Sequence, residues 1–129
     1  RYDFRGAAEI LNTTAMDDCK IIVSFTVNTV SFYLKKPHAI YWSRDSHNFE
    51  GISRNNGMIE LWSNMRLLST KEDFEKYIRD EKFVCILILN NQDPLKLAFD
   101  KLPPGRIADF KIIPVGRDKR ISIIKAELK

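Results

Sequence analysis

The sequence lacks the features that define several large classes of protein. Its 129 residues include only two cysteines, Cys19 and Cys85, which are too few for a disulfide framework. Its five glycines are scattered, so it has neither the G-x-G-x-x-G loop of a dinucleotide-binding fold nor a Walker-type phosphate loop. Its longest apolar run, Phe83–Leu89, has seven residues, against about 20 for a membrane-spanning helix. These absences exclude a disulfide scaffold, the common nucleotide-binding motifs and a transmembrane segment.

What is present is the composition of one globular domain. Apolar residues make up 44% of the chain and charged residues 29%, which are ordinary values for a folded protein. A chain of this length buries roughly two-thirds of its unfolded surface. We therefore expect residues 1–129 to form a single soluble α/β domain. Because the chain begins with Arg1 and not Met, we also expect it to be a piece excised from a larger membrane protein.

Hydrophobic patterns along the chain predict strands that alternate with short helices. An apolar stripe at helical spacing predicts a helix over Asp3–Asn12, and the pattern S-x-x-E at Ser69–Glu72 predicts the start of another. Further helices are expected after Asn28 or Thr29 and after Asp93-Pro94. Apolar, β-branched runs predict these strands: Lys20–Thr26, Ala39–Trp42, Met58–Trp62, Arg66–Leu68 and Lys82–Leu89.

The last third of the chain predicts a hairpin. Phe110–Val115 and Arg120–Leu128 have strand composition, and the turn residues Gly116–Lys119 separate them. Strands joined through helices pair in parallel, whereas strands joined by a tight turn pair antiparallel. The predicted fold is therefore an α/β three-layer sandwich, with a mixed, mostly parallel sheet and a C-terminal antiparallel hairpin.

Polar residues follow the two strongest strands, where parallel sheets place their ligands. These candidate ligand-binding residues are Thr26, Asn28 and Thr29 after the first strand, and Asn90, Asn91 and Asp93 after the central one. The same residue types cap helices, and capping is the simpler interpretation.

Positive charge is concentrated towards the C-terminus. The net charge is +4, but residues 101–129 carry eight Lys or Arg and three Asp or Glu, 8 − 3 = +5. The hairpin residues Arg117, Lys119 and Arg120 could face phosphate groups or lipid. These cations alternate with apolar residues, as on a solvated strand, and form no dense stripe. We therefore do not expect nucleic acid as a partner.

Catalytic signals are weak. Asp45 and His47 could serve acid–base chemistry in a small nuclease or hydrolase, but a third group is not indicated. The chain has no G-x-S-x-G elbow and no C-x-x-C pair. We therefore assign no catalytic residue, no metal and no cofactor.

The order of segments resembles a known group of domains. The relevant stretches are DFRGAAEIL at Asp3–Leu11, KIIVSF at Lys20–Phe25, VSFYLKKP at Val30–Pro37 and FVCILIL at Phe83–Leu89. They are similar to the soluble C-terminal domains of polytopic membrane glycosyltransferases of the aminoarabinose-transferase and protein-mannosyltransferase-like group. The similarity covers 2–89 and, more faintly, the rest of the chain.

The resemblance implies a particular setting. Such enzymes take a sugar from a polyprenyl-phosphate carrier, and their catalytic carboxylates lie in loops between transmembrane helices, so no catalytic residue is carried over. This chain would be a non-catalytic domain on the extracytoplasmic face of the membrane. Its partners would be the membrane portion of the same polypeptide and a lipid-linked sugar or acceptor. The alternative is a self-contained module that binds a sugar or a nucleotide.

Overall fold

A computed structural model describes residues 2–43 and 66–129. Within these ranges the strands are β1 (Cys19–Ser24), β2 (Ala39–Tyr41), β3 (Arg66–Leu68), β4 (Phe83–Ile88), β5 (Ile107–Val115) and β6 (Ile121–Leu128). The α-helices are α1 (Phe4–Leu11), α2 (Lys71–Tyr77) and α3 (Pro94–Asp100), and the 3₁₀ segments are η1 (Thr14–Met16) and η2 (Phe25–Phe32). No helix among the described residues is long and apolar enough to cross a bilayer.

The strands form one mixed sheet in the order β3-β2-β1-β4-β6-β5. β1 to β4 are mutually parallel, whereas β6 runs antiparallel to both β4 and β5. The two central strands, β1 and β4, consist mostly of buried residues, which explains why their sequences are nearly continuous apolar runs. The predicted parallel sheet with a C-terminal antiparallel hairpin is confirmed.

The sheet lies between two layers of helix, as the three-layer prediction requires. On one face, Ile21 and Val23 of β1 belong to the same core as the buried side of α1 and η2. On the other face, Ile22 of β1 and Ile86 of β4 join the core formed with α2 and α3. Alternate residues of one strand thus supply two separate cores, since successive side chains of a strand point to opposite faces.

Several local predictions needed correction. The segment after β1 is a 3₁₀ segment that begins at Phe25, so Asn28 and Thr29 lie inside it and do not cap a helix. Helix α2 is capped by Thr70, whose side chain accepts a hydrogen bond from the Asp73 amide at 3.0 Å. Ser69 instead lies one residue earlier, where its amide and hydroxyl both donate to Asp73. The predicted strand at 58–62 lies outside the described residues.

Candidate functional site

The carboxyl edge of the parallel strands brings the predicted site residues together. β1 and β4 end at this edge, and Ile88 of β4 is paired with Ser122 near the start of β6. The β5–β6 turn, residues 116–120, therefore lies at the same edge as the segments that follow β1 and β4. Sequence reasoning treated these as two sites, and the topology places them along one border of the sheet.

Asp93 is the centre of the hydrogen-bond network between β1 and β4. One carboxylate oxygen accepts from the Ser24 hydroxyl at 2.6 Å and from the Leu95 amide at 3.0 Å. The other accepts from the Thr26 hydroxyl at 2.7 Å and from the Leu89 amide at 2.9 Å. Asp93 is only 3% exposed and both of its carboxylate oxygens already accept two hydrogen bonds, so few positions are left for a ligand. The same hydrogen bonds connect β1, β4 and α3.

The other candidate ligand-binding residues at this edge lie outside the buried network around Asp93, except Thr26. Asn90 forms a local turn, because its side-chain oxygen accepts from the Gln92 amide at 2.8 Å and its carbonyl accepts from the Asp93 amide. Asn91 is exposed beside it, and Asn28 and Thr29 are half-buried in η2. Of the six candidate residues, Thr26 and Asp93 are hydrogen-bonded to each other. Ligand binding by any of the six stays a prediction.

The β5–β6 turn places three cations at the surface. Arg117, Lys119 and Arg120 are all exposed, and the Arg120 guanidinium pairs with the Asp118 carboxylate at 2.9 Å. Lys119 has a φ of +56°, a left-handed conformation that costs a non-glycine residue about 1 kcal/mol. The turn therefore holds a lysine at a position where glycine or asparagine would be the unstrained choice.

The turn lies against the first residues of α1. A Cβ built on Gly116 would come within 3.2 Å of the Asp3 Cβ, which shows how closely the two backbones approach. Asp3 caps α1 by accepting the Gly6 amide at 2.8 Å. The turn and the start of α1 thus form one continuous surface.

An open cavity of about 460 Å³ adjoins this surface. It is lined by Tyr2, Asp3, Phe4, Arg5 and Tyr33. The Arg5 guanidinium lies 5.1 Å from the centre of the Tyr33 ring, a cation–π distance, and the rings of Tyr2 and Phe4 are 5.8 Å apart. The cavity therefore combines exposed aromatic rings with a positive charge, and no motif in the sequence indicates it.

A second cavity, of about 410 Å³, lies at the carboxyl ends of β2 and β3. Its lining residues are Tyr41, Ser43, Ser69, Thr70, Lys71, Glu72, Pro94, Leu97, Ala98 and Lys101. Ser69 and Thr70 already bond with Asp73, so these polar groups serve the start of α2. Trp42 lies directly after β2, and its ring stacks on that of Phe25 with the ring centroids 3.3 Å apart. The buried Trp42 Nε1 has no hydrogen-bond partner among the described residues.

No group of three His, Cys, Asp or Glu side chains suited to a metal ion occurs among the described residues. His38 is buried, and its Nδ1 and Nε2 lie 2.8 Å from the Lys36 carbonyl and 2.9 Å from the Ser31 hydroxyl. Because a carbonyl only accepts, Nδ1 donates and Nε2 accepts. Asp45 and His47 of the hydrolase hypothesis lie outside the described residues.

The two cysteines lie on adjacent strands as free thiols. Hydrogen bonding with Cys85 lowers the pKa of Cys19, while the same contact and burial raise the pKa of Cys85. Cys85 is fully buried, and its Sγ lies 3.7 Å from the sulfur of Met16. Sequence alone left open whether the two were bridged, and the structure has both as free thiols.

Comparison with known proteins yields distant structural similarity and no match in sequence. No protein-family profile matches the chain, and no curated protein does. Among solved structures, an rRNA methylase from Streptococcus thermophilus is 13% identical, and the match covers 98% of this chain and 92% of that one. Its TM-score is 0.40, which is too low to transfer an activity.

These comparisons overturn the resemblance stated above. The prediction of a membrane glycosyltransferase domain is wrong, since neither a family profile nor a curated protein of that group matches the chain. The alternative, a self-contained sugar- or nucleotide-binding module, finds no support either. The quoted segments are patterns of apolar residues that build helices and strands, and such patterns recur in unrelated α/β proteins.

Proposed function

We propose that this chain is a binding domain whose β5–β6 turn, together with Arg5, holds a phosphate group of its partner. The observation that supports this is the close approach of Gly116 to Asp3, which unites the cations of the turn with the start of α1. We call this surface, made of Arg5, Arg117, Lys119 and Arg120, the turn surface.

Most of the positive charge on the turn surface is not neutralised by an ion pair within the described residues. Arg120 is paired with Asp118, and the Asp3 carboxylate accepts an amide of its own helix. Arg5, Arg117 and Lys119 have no ion-pair partner within 2–43 and 66–129. Guanidinium and ammonium groups of this kind bind phosphate oxygens by charge-assisted hydrogen bonds.

The aromatic rings beside the turn surface extend what it could contact. Tyr2 and Tyr33 are each 38% exposed, and both line the cavity that contains Arg5. A phenol ring offers an apolar face and a polar tip, which suits the region just below a lipid headgroup or the organic part of a phosphate ester. Either source would present the same anionic group to Arg5 and the turn.

The strained lysine offers a way to separate binding from folding. Replacing Lys119 with glycine removes a charge and also relieves the left-handed φ of +56°. Glycine loses more entropy on folding, so the two effects partly cancel and stability should be unchanged or slightly higher. A loss of binding in this variant could not then be attributed to misfolding.

The experiment compares two variants that each lose two positive charges. R117Q/K119G alters the turn surface, whereas K76Q/R79Q removes two exposed cations, one in the last turn of α2 and one just after it. Binding of inorganic pyrophosphate would be followed by NMR shifts, and binding of lipid by flotation with anionic and zwitterionic vesicles. We expect R117Q/K119G to weaken binding roughly tenfold and K76Q/R79Q to change it little, since screened surface charges act locally.

The two assays also separate the sources of the phosphate. Pyrophosphate binding without flotation would indicate a soluble phosphate, and flotation that needs anionic vesicles would indicate a headgroup. An equal loss in both variants would reduce the effect to net charge and contradict a site at the turn. Retention of full binding by R117Q/K119G would contradict it as well.

A further inference from the structure

β5 is an edge strand of the sheet that the described residues form. Eight of its nine residues pair with β6 on one side, and a register shift between Ile107 and Asp109 leaves Ala108 without a partner there. No strand among the described residues pairs with the other side of β5. An exposed edge of this length presents a row of backbone groups to which another chain can add a strand.

The outward backbone groups of β5 can be identified from two observations. The Phe110 amide bonds to the carboxylate of Asp109 at 2.9 Å and not to β6. Pro114, which has no amide hydrogen, lies four pairs further along, opposite Ser122. Because alternate residues of a strand direct their amides the same way, Phe110, Ile112 and Pro114 share the outward direction.

The same strand exposes apolar side chains. Phe110 is 53% exposed and Ile112 is 54% exposed, although their partners on β6, Ala126 and Ile124, are buried in the core beneath α3. The Phe110 ring packs edge to face against the ring of Phe99, with the ring centroids 6.4 Å apart. The apolar core thus continues onto the edge strand, where the helices of the described residues leave these two side chains about half exposed.

Charges on the opposite face of β5 are arranged unfavourably within the chain. Lys111 is paired with Lys125 of β6, and Asp109 is paired with Glu127. Like charges directly across a strand pair are destabilising. An arriving strand that placed an acid opposite Lys111 and a base opposite Asp109 would relieve both contacts.

We propose that a second copy of this chain supplies that strand, with the two β5 strands antiparallel and Phe110 opposite its counterpart. Asp109 of each copy then lies opposite Lys111 of the other, and Pro114 falls outside the ladder. Because the β5 register shifts between Ile107 and Asp109, the regular pairing is confined to 109–111. A register centred on Lys111 would set two lysines face to face, and one centred on Ile112 would bring Pro114 into the ladder. Of these three registers, only the first both pairs opposite charges and keeps Pro114 out of the ladder.

The test is a charge exchange measured by sedimentation across a range of protein concentrations. D109K and K111D should each weaken dimerisation about tenfold, because each places like charges opposite one another twice. The double variant D109K/K111D restores opposite charges in the same register, and we expect its dissociation constant to return to within about threefold of the wild type. E9K and K76D make the same charge changes on exposed helix positions and should have little effect.

Three outcomes would overturn the proposal. One is a wild-type chain that stays monomeric up to about 1 mM, which would leave the edge to a different occupant. Another is a double variant no better than the single ones, because the register would then be wrong. The third is an equal loss in E9K and K76D, which would make net charge the cause. The turn surface lies outside the paired span, so phosphate binding can fail while this proposal holds.

Discussion

At the scale of single residues, Asp93 is a predicted ligand-binding residue whose carboxylate is occupied by hydrogen bonds within the fold. Its type and its place after a central strand fit a ligand-binding carboxylate. The structure instead surrounds it with two hydroxyls and two amides, at 2.6–3.0 Å. A buried carboxylate with four donors stabilises the fold, and its removal leaves each donor unsatisfied.

Asp93→Ala should therefore lower the free energy of unfolding by about 2–4 kcal/mol, measured by urea denaturation. Thr26→Val removes only one exposed hydroxyl from the same network, and we expect it to cost about 0.5–1 kcal/mol. If Asp93→Ala left stability unchanged and instead abolished binding of a ligand, the structural interpretation would be wrong.

At the scale of elements, the strands were easier to predict than the segments between them. β1 and β4 are buried on both faces, so a simple apolar run predicted them, and β3 was predicted at its observed bounds. A short helix was predicted to begin after Asn28 or Thr29, yet a 3₁₀ segment begins earlier, at Phe25, and is capped by the Ser24 hydroxyl. That hydroxyl is oriented by Asp93, 69 residues away, and no local pattern contains this information.

The candidate functional site could likewise be predicted only in part from the sequence. The residues that end β1 and β4 were expected at one edge, because parallel strands end together. The cavity beside Arg5 was not expected, because it depends on how Tyr33 returns to the first turn of α1. Short-range spacing therefore located the edge of the sheet, and only the tertiary structure located its aromatic surface.

The connection between η2 and β2 gives the chain a pH-dependent contact. Burial lowers the pKa of His38 below its ordinary value of 6.5, despite the hydrogen bond to the Lys36 carbonyl. Below about pH 6.5 the unfolded chain therefore binds a proton that the folded chain does not, and stability falls as the pH falls. Above that value both states are neutral and the residue contributes no slope.

We expect the free energy of unfolding to decrease between pH 7 and pH 5, with a slope from this residue of at most about 1.4 kcal/mol per pH unit. His38→Gln, which keeps a donor and an acceptor, should flatten that part of the profile. Asp73, whose pKa is lowered by hydrogen bonds from Ser69, titrates below 3.8 and so lies outside this window. An unchanged slope in His38→Gln would show that His38 is not the titrating group.

At the scale of the whole molecule, the two proposals concern different parts of one sheet. In an antiparallel β5 pair the two strands run in opposite directions, so the two β5–β6 turns lie at opposite ends of the shared ladder. The phosphate sites of the two copies therefore do not meet, and each should work without the other.

Ionic strength should distinguish the two interactions. Phosphate binding rests on exposed charges, which salt screens over about 10 Å at 0.1 M. The dimer depends mainly on backbone hydrogen bonds and on the contact between the two Phe110 side chains. Salt weakens its two ion pairs, but salt also weakens the repulsion between two chains that each carry a net charge of +4, so the two effects offset each other. Raising the salt from about 0.05 M to about 0.5 M should weaken pyrophosphate binding about tenfold and change the dimer less than about threefold.

The same separation should appear in the variants. D109K should lose the dimer and keep pyrophosphate affinity, and R117Q/K119G should do the reverse, with both quantities measured on the same samples. If salt or either variant instead weakened both interactions in parallel, the turn surface and the β5 edge would have to act as one interface. That result would contradict their separation by the antiparallel geometry, because strands that run in opposite directions cannot bring both turns to one end.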